Sequence, residues 1–324
     1  MIKRSFVETK GKNIYKETKR FLYHSYNKFT DNKPKVLLLV YHRVLKNKHS
    51  SPLNNIVSLS GFIKQIDEIA KRHAIVTLTD IIQQCHFGKP KAKIQVVLTF
   101  DDGYSDNYEI VLPVLQKKGL PASFFIIADY INSNVPLWDW QVIHLLNSDV
   151  SIKSTTVDNQ IIRQGIFESR LSFAFRILEK MKPISPAKRR EAISYLRPKI
   201  NTSFESDRCM SWQEVKKISE AGMEIGSHGL SHRSLAMLPY YEAKEEIKKS
   251  KEIIEYNIEK PCYHFSFPYG GNQDYNQPLI DCVKEAGYRA CLLNVHGYNY
   301  IENDSFCFKR IIMENATCVR HLLG

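Results

Sequence analysis

The sequence IQVVLTFDDG, residues 94–103, indicates how this chain folds. Its first seven residues form a short, mainly apolar run of the length of a β-strand. Two aspartates and a glycine follow directly, a combination typical of the turn that leaves a strand. We therefore expect a buried strand over residues 94–100, with the carboxyl groups of Asp101 and Asp102 at its end.

Similar strand-like segments recur along the chain, and amphipathic helical patterns separate them. This alternation predicts a parallel α/β barrel that is closed or nearly closed. In such barrels the catalytic residues collect at the carboxyl ends of the strands. The expected strands are residues 36–41, 75–78, 94–100, 122–128, 223–227, 263–267 and 288–293.

One long interval interrupts this alternation. Residues 138–207 hold charged helical stretches, which predicts a helical insertion after the fourth expected strand. With 324 residues, the chain has room for one large domain or two small ones. We expect one domain over residues 36–324 and a separate basic segment over residues 1–35.

The composition narrows the class of protein. Hydrophobic residues make up 43% of the chain and charged residues 25%, as in an ordinary folded protein. The seven cysteines include no CxxC pair, which argues against a disulfide framework and against a thiolate zinc site. Residues 1–35 lack the compact apolar stretch of a secretion signal. No apolar run reaches the ~18 residues of a membrane span. We therefore expect a cytoplasmic location.

The net charge of +12 does not by itself select a partner. No nucleic-acid-binding motif accompanies the basic residues, so we expect no nucleic-acid partner. In residues 1–35, apolar side chains fall near helical spacing with lysines between them. This pattern fits a helix on the inner face of the cytoplasmic membrane, but also a helix docked on its own domain or a loose arm.

Two clusters of polar residues have the chemistry of a metal site. Asp101 and Asp102 end one expected strand, and the sequence HGLSH, residues 228–232, directly follows another. His228 and His232 are four residues apart, a spacing that suits a single metal ion. Adjacent carboxylates repel each other in a poorly solvated cleft, and a cation relieves that repulsion. We expect Asp102 and the two histidines as metal ligands and Asp101 as a general base.

Such a ligand set is compatible with more than one reaction. Two histidines and one carboxylate suit zinc hydrolysis, and they also suit non-haem iron oxygenases. The second aspartate favours a hydrolase, which needs a base beside the metal, whereas an oxygenase needs no adjacent carboxylate. Taken alone, the FDDG stretch is equally compatible with an ordinary turn after a strand.

Two further segments are expected at the same end of the barrel. The sequence FSFPYGG, residues 265–271, leaves a strand through a sharp turn, whose N–H groups could stabilise an oxyanion. Its aromatic rings could face a sugar. The sequence LLLVYHRV, residues 37–44, places His42 just after the first strand. On their own, the first segment is an ordinary strand exit and His42 an ordinary surface or core histidine.

Taken together, these segments resemble the polysaccharide deacetylase family, the NodB-like carbohydrate esterases of family 4. TFDDG resembles the first motif of the family, HGLSH its metal-binding HxxxH motif and FSFPYGG its substrate-groove motif. The resemblance extends over nearly all of residues 36–313. It implies a distorted (β/α)7 barrel, one divalent metal ion, usually zinc, and hydrolysis of an acetyl group from a carbohydrate.

The resemblance also implies roles for individual residues. By matching position, Asp101 is similar to the general base of the family. The residues similar to its metal ligands are Asp102, His228 and His232. Tyr269 is similar to the residue whose backbone N–H holds the oxyanion. The remaining expected substrate contacts are Phe267, Pro268 and Trp138.

The chain departs from the family pattern at three places. Gly229 stands where serine or threonine is frequent, Ser266 stands where many members have an arginine, and the usual carboxyl-terminal histidine motif is missing. The last two departures fit a similarity to biofilm-polysaccharide deacetylases, in which the motif order is circularly permuted. That similarity points to His42 as the acid that protonates the leaving amine, with His296 as the alternative. It also suggests Arg310 as a replacement for the missing arginine.

The expected function is therefore metal-dependent removal of an N-acetyl group from an amino sugar. The expected substrate is a polysaccharide, an oligosaccharide or a lipid-linked glycan, in the synthesis of bacterial surface glycans. Two alternatives remain at this point. One is an O-acetyl esterase on the same barrel, and the other is a carbohydrate-binding relative without activity.

Overall fold

The computed structural model describes residues 33–46, 55–149, 151–196 and 207–323. The basic segment predicted at residues 1–35 lies almost entirely outside the described residues, and its expected membrane contact lies there too. Within the described part of the chain, no helix combines the length and the apolar character that crossing a bilayer requires.

The described residues form thirteen strands and ten α-helices. The strands are β1 (Lys35–Tyr41), β2 (Arg43–Leu45), β3 (Ile56–Ser58), β4 (Ala74–Ile75), β5 (Ile94–Asp102), β6 (Ser123–Ile126), β7 (Ser154–Val157), β8 (Gln160–Arg163), β9 (Glu224–Ser227), β10 (His264–Ser266), β11 (Ala290–His296), β12 (Asn299–Tyr300) and β13 (Phe308–Ile312). The helices are α1 (Leu59–Ala70), α2 (Leu78–Phe87), α3 (Leu112–Lys118), α4 (Trp138–Ser148), α5 (Arg170–Met181), α6 (Pro186–Leu196), α7 (Trp212–Glu220), α8 (Tyr240–Ile258), α9 (Gln277–Glu285) and α10 (Val319–Leu323).

Seven parallel strands close into a barrel, which confirms the predicted distorted (β/α)7 fold. The order around the barrel is β1, β5, β6, β9, β10, β11 and β13, and β13 pairs with β1 to complete the ring. Leu37 and Leu39 of β1 belong to one buried cluster, whereas Val36 and Leu38 belong to another. The strand is therefore covered on both faces, as parallel strands in α/β folds are.

The membership of the barrel differs from the prediction at one strand. Of the expected strand at residues 75–78, only Ile75 belongs to β4, which pairs with β5 outside the ring, and helix α2 begins at Leu78. The cause is local, because the Thr77 side chain accepts a hydrogen bond from the Asp80 N–H and so caps that helix. The seventh barrel strand is β13, which the sequence analysis missed.

The insertion follows β6, the strand after which it was predicted. Because β4 lies outside the ring, β6 is the third strand of the barrel, although it corresponds to the fourth strand expected from the sequence. The insertion contains α4, α5 and α6, and also an antiparallel hairpin of β7 and β8 that was not predicted. It has an apolar core of its own, with Phe173, Ile177 and Leu145 fully buried.

Polar side chains pack at the amino-terminal end of the barrel around Glu224. Its carboxylate accepts hydrogen bonds from the N–H groups of Leu78 (3.0 Å) and Thr79 (2.9 Å) and from the Ser123 hydroxyl. The Nε2 atom of His264 lies 3.7 Å from this carboxylate. Burial raises the pKa of Glu224, but His264 and the hydroxyl donors more than offset this and lower it to about 2.

We expect Glu224→Gln to destabilise the fold by about 3 kcal/mol at pH 7, at ~1.4 kcal/mol per unit of pKa. The folded-state pKa lies below the ordinary value of 4.5. The stabilisation is therefore fully present above that ordinary value and is lost as the pH falls towards the folded value. Urea unfolding of both proteins between pH 7 and about pH 3 should show the difference shrinking. The matched control is Glu220→Gln at an exposed position, and a pH-independent difference would contradict the assignment.

Candidate metal and catalytic site

The metal-ligand candidates meet at the carboxyl-terminal mouth of the barrel because of the strand register. Asp102, at the end of β5, pairs with Ile126 of β6, and Ile126 pairs with Ser227 of β9. His228 follows at once, and its N–H donates to the Ile126 carbonyl at 2.8 Å. Two segments that are far apart in the sequence are thereby placed at the same level of the barrel.

The structure brings together the three residues predicted as metal ligands. The Oδ1 atom of Asp102 lies 3.6 Å from Nε2 of His228 and 3.7 Å from Nε2 of His232. One ligand atom from each residue lies within 4.8 Å of the other two, and all three side chains are buried. The spacing and the donor chemistry fit a single divalent ion.

The electrostatics of these residues also favour a cation. Burial raises the pKa of Asp102 well above its usual range, and the neighbouring charges of Asp139 and Asp101 raise it further. Burial lowers the pKa of His228, and it lowers that of His232 well below its usual range. Neutral imidazoles are the form that binds metal ions. A cation would relieve the unfavourable burial of the Asp102 carboxylate.

Asp101 has a cationic partner of its own, Arg310 of β13. The Nη1 atom of Arg310 donates to Oδ1 of Asp101 at 2.8 Å, and Nη2 lies 2.7 Å from Oδ2. Burial raises the pKa of Asp101, but the charges of Arg310 and His228 more than offset this and lower it to about 2. Arg310 therefore occupies the place beside the carboxylate that the sequence suggested, and Ser266 lies 3.5 Å from the same carboxylate.

The second nitrogen of each histidine ring also has neighbours. Nδ1 of His228 lies 2.8 Å from the carbonyl oxygen of Ser266, a distance at which it donates a hydrogen bond to that oxygen. The other ring nitrogen, Nε2, faces Asp102. Nδ1 of His232 lies 3.5 Å from the Tyr269 hydroxyl and 3.9 Å from the Asp139 carboxylate. These neighbours orient both rings towards the same point.

The loop that carries the two histidines, residues 228–232 (the histidine loop), is anchored by Glu246 of α8. Its carboxylate accepts hydrogen bonds from the N–H groups of Leu230 (3.1 Å) and Ser231 (2.9 Å) and from the Ser231 hydroxyl. Gly229 has a φ of +79°, and a Cβ atom there would lie 3.2 Å from Cγ of Pro268. The positive φ and the nearby Pro268 ring both favour glycine at this position.

His42 lies beside Asp101, because β1 and β5 run in register with Tyr41 opposite Phe100. The His42 carbonyl accepts a hydrogen bond from the Asn107 side chain at 2.9 Å. Burial lowers the pKa of His42 to about 4, although the charge of Asp101 acts in the opposite direction. The imidazole is therefore neutral at pH 7 in this state.

Two other histidines are placed less favourably for the role of the acid. His296 ends β11, is exposed, and pairs in register with Arg310. His264 begins β10 and lies beside Glu224, at the opposite end of the barrel. The placement favours His42, and the role of the acid stays a prediction.

Three predicted substrate contacts are buried in the structure. Phe267 is fully buried against Phe265, with ring centroids 5.1 Å apart. Pro268 packs beside Gly229, and Trp138 is 1% exposed in the insertion core. The expected aromatic wall is therefore not formed by these residues, because their side chains point into the packed interior. The half-buried Tyr269 is at the site, with its ring 4.6 Å from that of His232.

The sequence analysis missed three residues that contact the histidine loop. They are Asp139 of α4, Arg189 of α6 and Glu246 of α8. Arg189 belongs to the basic run KRR at residues 188–190, and Glu246 to a helix rich in charge. Such charged stretches are typical of solvated helix surfaces. For Asp139 the sequence gives one weak indication of partial burial, because this acidic residue lies between two tryptophans.

A comparison with protein families gives a match for most of the described domain. The model of the family described as "Polysaccharide deacetylase" matches residues 88–198 and 192–291, which together exceed half of the chain. A shorter match is to YxkH of Bacillus subtilis (strain 168), named as a candidate polysaccharide deacetylase. It is 41% identical over 71 residues, which span 22% of this chain and 25% of that relative.

Solved structures share the fold at low sequence identity. The deacetylase PplD of Streptococcus pyogenes, in complex with acetate, superposes with a TM-score of 0.59 at 16% identity, over 90% of this chain and 97% of that one. A de-N-acetylase from Aggregatibacter actinomycetemcomitans superposes with a TM-score of 0.58 at 17% identity, over 89% of this chain and 98% of that one. IcaB from Ammonifex degensii superposes with a TM-score of 0.57 at 16% identity, over 86% of this chain and 92% of that one.

We expect Arg310→Met to destabilise the fold by about 3–5 kcal/mol, because it leaves the Asp101 carboxylate buried without its partner. The double variant Asp101→Asn with Arg310→Met should recover part of this loss, since no buried charge then remains. Chemical unfolding of the variants measures both effects. The control is Lys309→Met, at the exposed neighbouring position. Equal losses in the single and the double variant would argue against the ion pair as the cause.

Proposed function

Because the chain belongs to the polysaccharide deacetylase family, we propose that it removes N-acetyl groups from an amino sugar of a glycan, using one bound zinc ion. Membership makes acetylated carbohydrate the substrate class. The observation that carries the finer proposal is the convergence of Asp102, His228 and His232 beside an Asp101 carboxylate that is held by Arg310.

The three proposed ligands provide one carboxylate and two neutral imidazoles, a set that suits zinc in a hydrolytic site. When bound, such an ion supplies Lewis-acid polarisation of the acetyl carbonyl and of water. Burial of all three ligands limits access of bulk water to the proposed site.

Asp101 is the proposed general base. Its carboxylate lies next to the proposed ligand Asp102, and the ion pair with Arg310 favours its ionised form. A carboxylate that is ionised at neutral pH can accept a proton from the attacking water. The same ion pair restricts the rotation of the carboxylate, so that its orientation is set before the substrate arrives.

His42 is the proposed acid. An amide nitrogen must gain a proton to leave as an amine, and an imidazole is suited to deliver it. Because burial keeps His42 neutral at pH 7, the ring gains its proton during turnover. The source is the proton that Asp101 takes from the attacking water, and Asp101 returns to its ionised form when it passes this proton to the neighbouring His42. Arg310 and His228 disfavour a positive charge on His42. They therefore promote transfer of the proton from His42 to the amide nitrogen of the substrate.

The backbone at Tyr269 is the proposed support for the oxyanion. Tyr269 and Gly270 both have left-handed backbone conformations, with φ values of 62° and 61°. Such a conformation is unfavourable for tyrosine, and strained residues of this kind concentrate at functional sites. A pair of successive left-handed residues turns the chain sharply at the rim of the site.

The alternative functions differ from this proposal in their chemistry. An O-acetyl ester leaves an alcohol, which needs less help from an acid, so the position of His42 beside Asp101 favours N-deacetylation. The similar structure from A. actinomycetemcomitans is named a de-N-acetylase, and its low identity supports the fold alone. A binding protein without activity would have no use for a base held by a buried ion pair.

The central experiment measures acetate release and the loss of an acetyl group from N-acetylated oligosaccharides by mass spectrometry. We expect Asp101→Asn to reduce kcat by about 10²–10⁴-fold, because an amide cannot accept the proton. Metal analysis should find about one zinc per chain in both proteins, and less in the control His228→Ala. Wild-type zinc content in His228→Ala, or wild-type activity in Asp101→Asn, would refute the proposed roles.

A second experiment separates the acid from a structural histidine. We expect His42→Ala to bind zinc normally but to lose more activity on an N-acetyl sugar than on an acetyl ester with a good leaving group, because the ester needs little protonation. His296→Ala is the matched control and should leave both activities near wild type. Equal losses of His42→Ala on both substrates would indicate a structural role.

A further inference from the structure

We propose that the insertion completes the metal site, and that Arg189 of α6 is the positioning residue that holds His232 in its ligating conformation. The inference rests on the proposed function, since it takes His232 to be a metal ligand. It assigns a role to a part of the chain that lies outside the barrel and outside the motifs of the sequence.

Arg189 is almost completely buried, with 1% of its surface exposed. Its guanidinium donates hydrogen bonds to four backbone carbonyls. Two of them lie within the insertion, at Met181 (2.9 Å) and Lys182 (2.7 Å). The other two belong to the histidine loop, at Ser231 (2.8 Å) and His232 (2.8 Å). The side chain therefore joins the insertion to the loop by direct hydrogen bonds.

Burying this charge is costly, and the hydrogen bonds of the Arg189 guanidinium replace those that it would make with water. Removing a guanidinium from water is unfavourable, and all four of these acceptors are neutral carbonyls. The planar group is suited to this task, because its donors point in fixed directions and can serve two chain segments at once. Stacking on the Trp138 ring, 4.4 Å away, fixes the plane of the group.

His232 needs such support because its backbone is in the left-handed region, with φ of +56°. For a residue with a Cβ atom this conformation is unfavourable, and it persists only where the surroundings enforce it. Glu246 holds the N–H groups at Leu230 and Ser231, and Arg189 holds the carbonyls at Ser231 and His232. The loop is therefore fixed from two sides, one of them supplied by the insertion.

The insertion also contacts the His232 ring. The Asp139 carboxylate of α4 lies 3.9 Å from Nδ1, the ring nitrogen turned away from Asp102. A carboxylate on that side favours the tautomer that carries a proton on Nδ1 and leaves Nε2 free to bind a metal ion. The backbone and the ring of the same ligand thus both have neighbours in the insertion.

The test compares zinc affinity, measured by competition with a chromophoric chelator, in wild type and Arg189→Met. Methionine fills similar space without donors, and we expect zinc to bind about 10–100-fold more weakly, as for other residues that orient a ligand. The matched control is Arg190→Met, at the exposed neighbouring position, which should bind zinc like wild type. The absorption bands of the cobalt-substituted protein should change in Arg189→Met and not in this control.

Ile162→Ala separates positioning from a general loss of stability. This residue is buried in the insertion core, on the hairpin rather than at the histidine loop. It should lower the unfolding temperature but leave zinc affinity unchanged. If it weakens zinc binding as much as Arg189→Met does, the positioning role of Arg189 is wrong.

Asp139→Asn gives an independent test if Arg189→Met does not fold. The two side chains have nearly the same shape, and we expect about tenfold weaker zinc binding from the loss of the charge beside Nδ1. Wild-type affinity in this variant would overturn the role of the insertion at the His232 ring. If wild type itself binds no zinc, the proposed function fails; if wild type and Arg189→Met bind it equally well, this inference alone fails.

Discussion

Two adjacent carboxylates buried at the end of one strand impose the constraint on which this structure depends. Asp101 and Asp102 cannot both be ionised in a poorly solvated cleft unless positive charge lies close by. Asp101 meets this requirement through Arg310, which the last barrel strand brings to within hydrogen-bonding distance. Asp102 instead faces two neutral imidazoles. Asp101 is therefore neutralised by a partner within the protein, whereas Asp102 is suited to bind a metal ion.

The histidine loop can face Asp102 only with an unfavourable backbone, and this cost is met by contacts from outside the barrel. Asp102, His232 and Tyr269 all have positive φ values, and all three lie at the mouth of the barrel. The long helix α8 and the insertion both hold the loop, through Glu246 and Arg189 respectively. Strain of this kind is stable only where several independent contacts enforce it.

The parts of the site that could be predicted are those in which a short motif lies at a strand end. Asp101, Asp102 and the two histidines were found because parallel strands bring their carboxyl ends together. Strand β13 was missed because Lys309 and Arg310 interrupt its apolar pattern, although Arg310 itself was suspected. Its burial follows from the ion pair with Asp101, which depends on tertiary packing and leaves no periodic signal in the sequence.

The direction in which a side chain points was the least predictable property. Phe267 and Trp138 were expected at the substrate, yet both are packed in the interior. Arg189 belongs to a run that is typical of a solvated surface, yet it is buried against the histidine loop. The charges at the site also bear on the reaction. The Asp101–Arg310 pair is neutral overall, and Arg189 offsets the charge of Asp139. A divalent ion at Asp102 would then leave one net positive charge, which favours the negative charge that develops on an acetyl oxygen during hydrolysis.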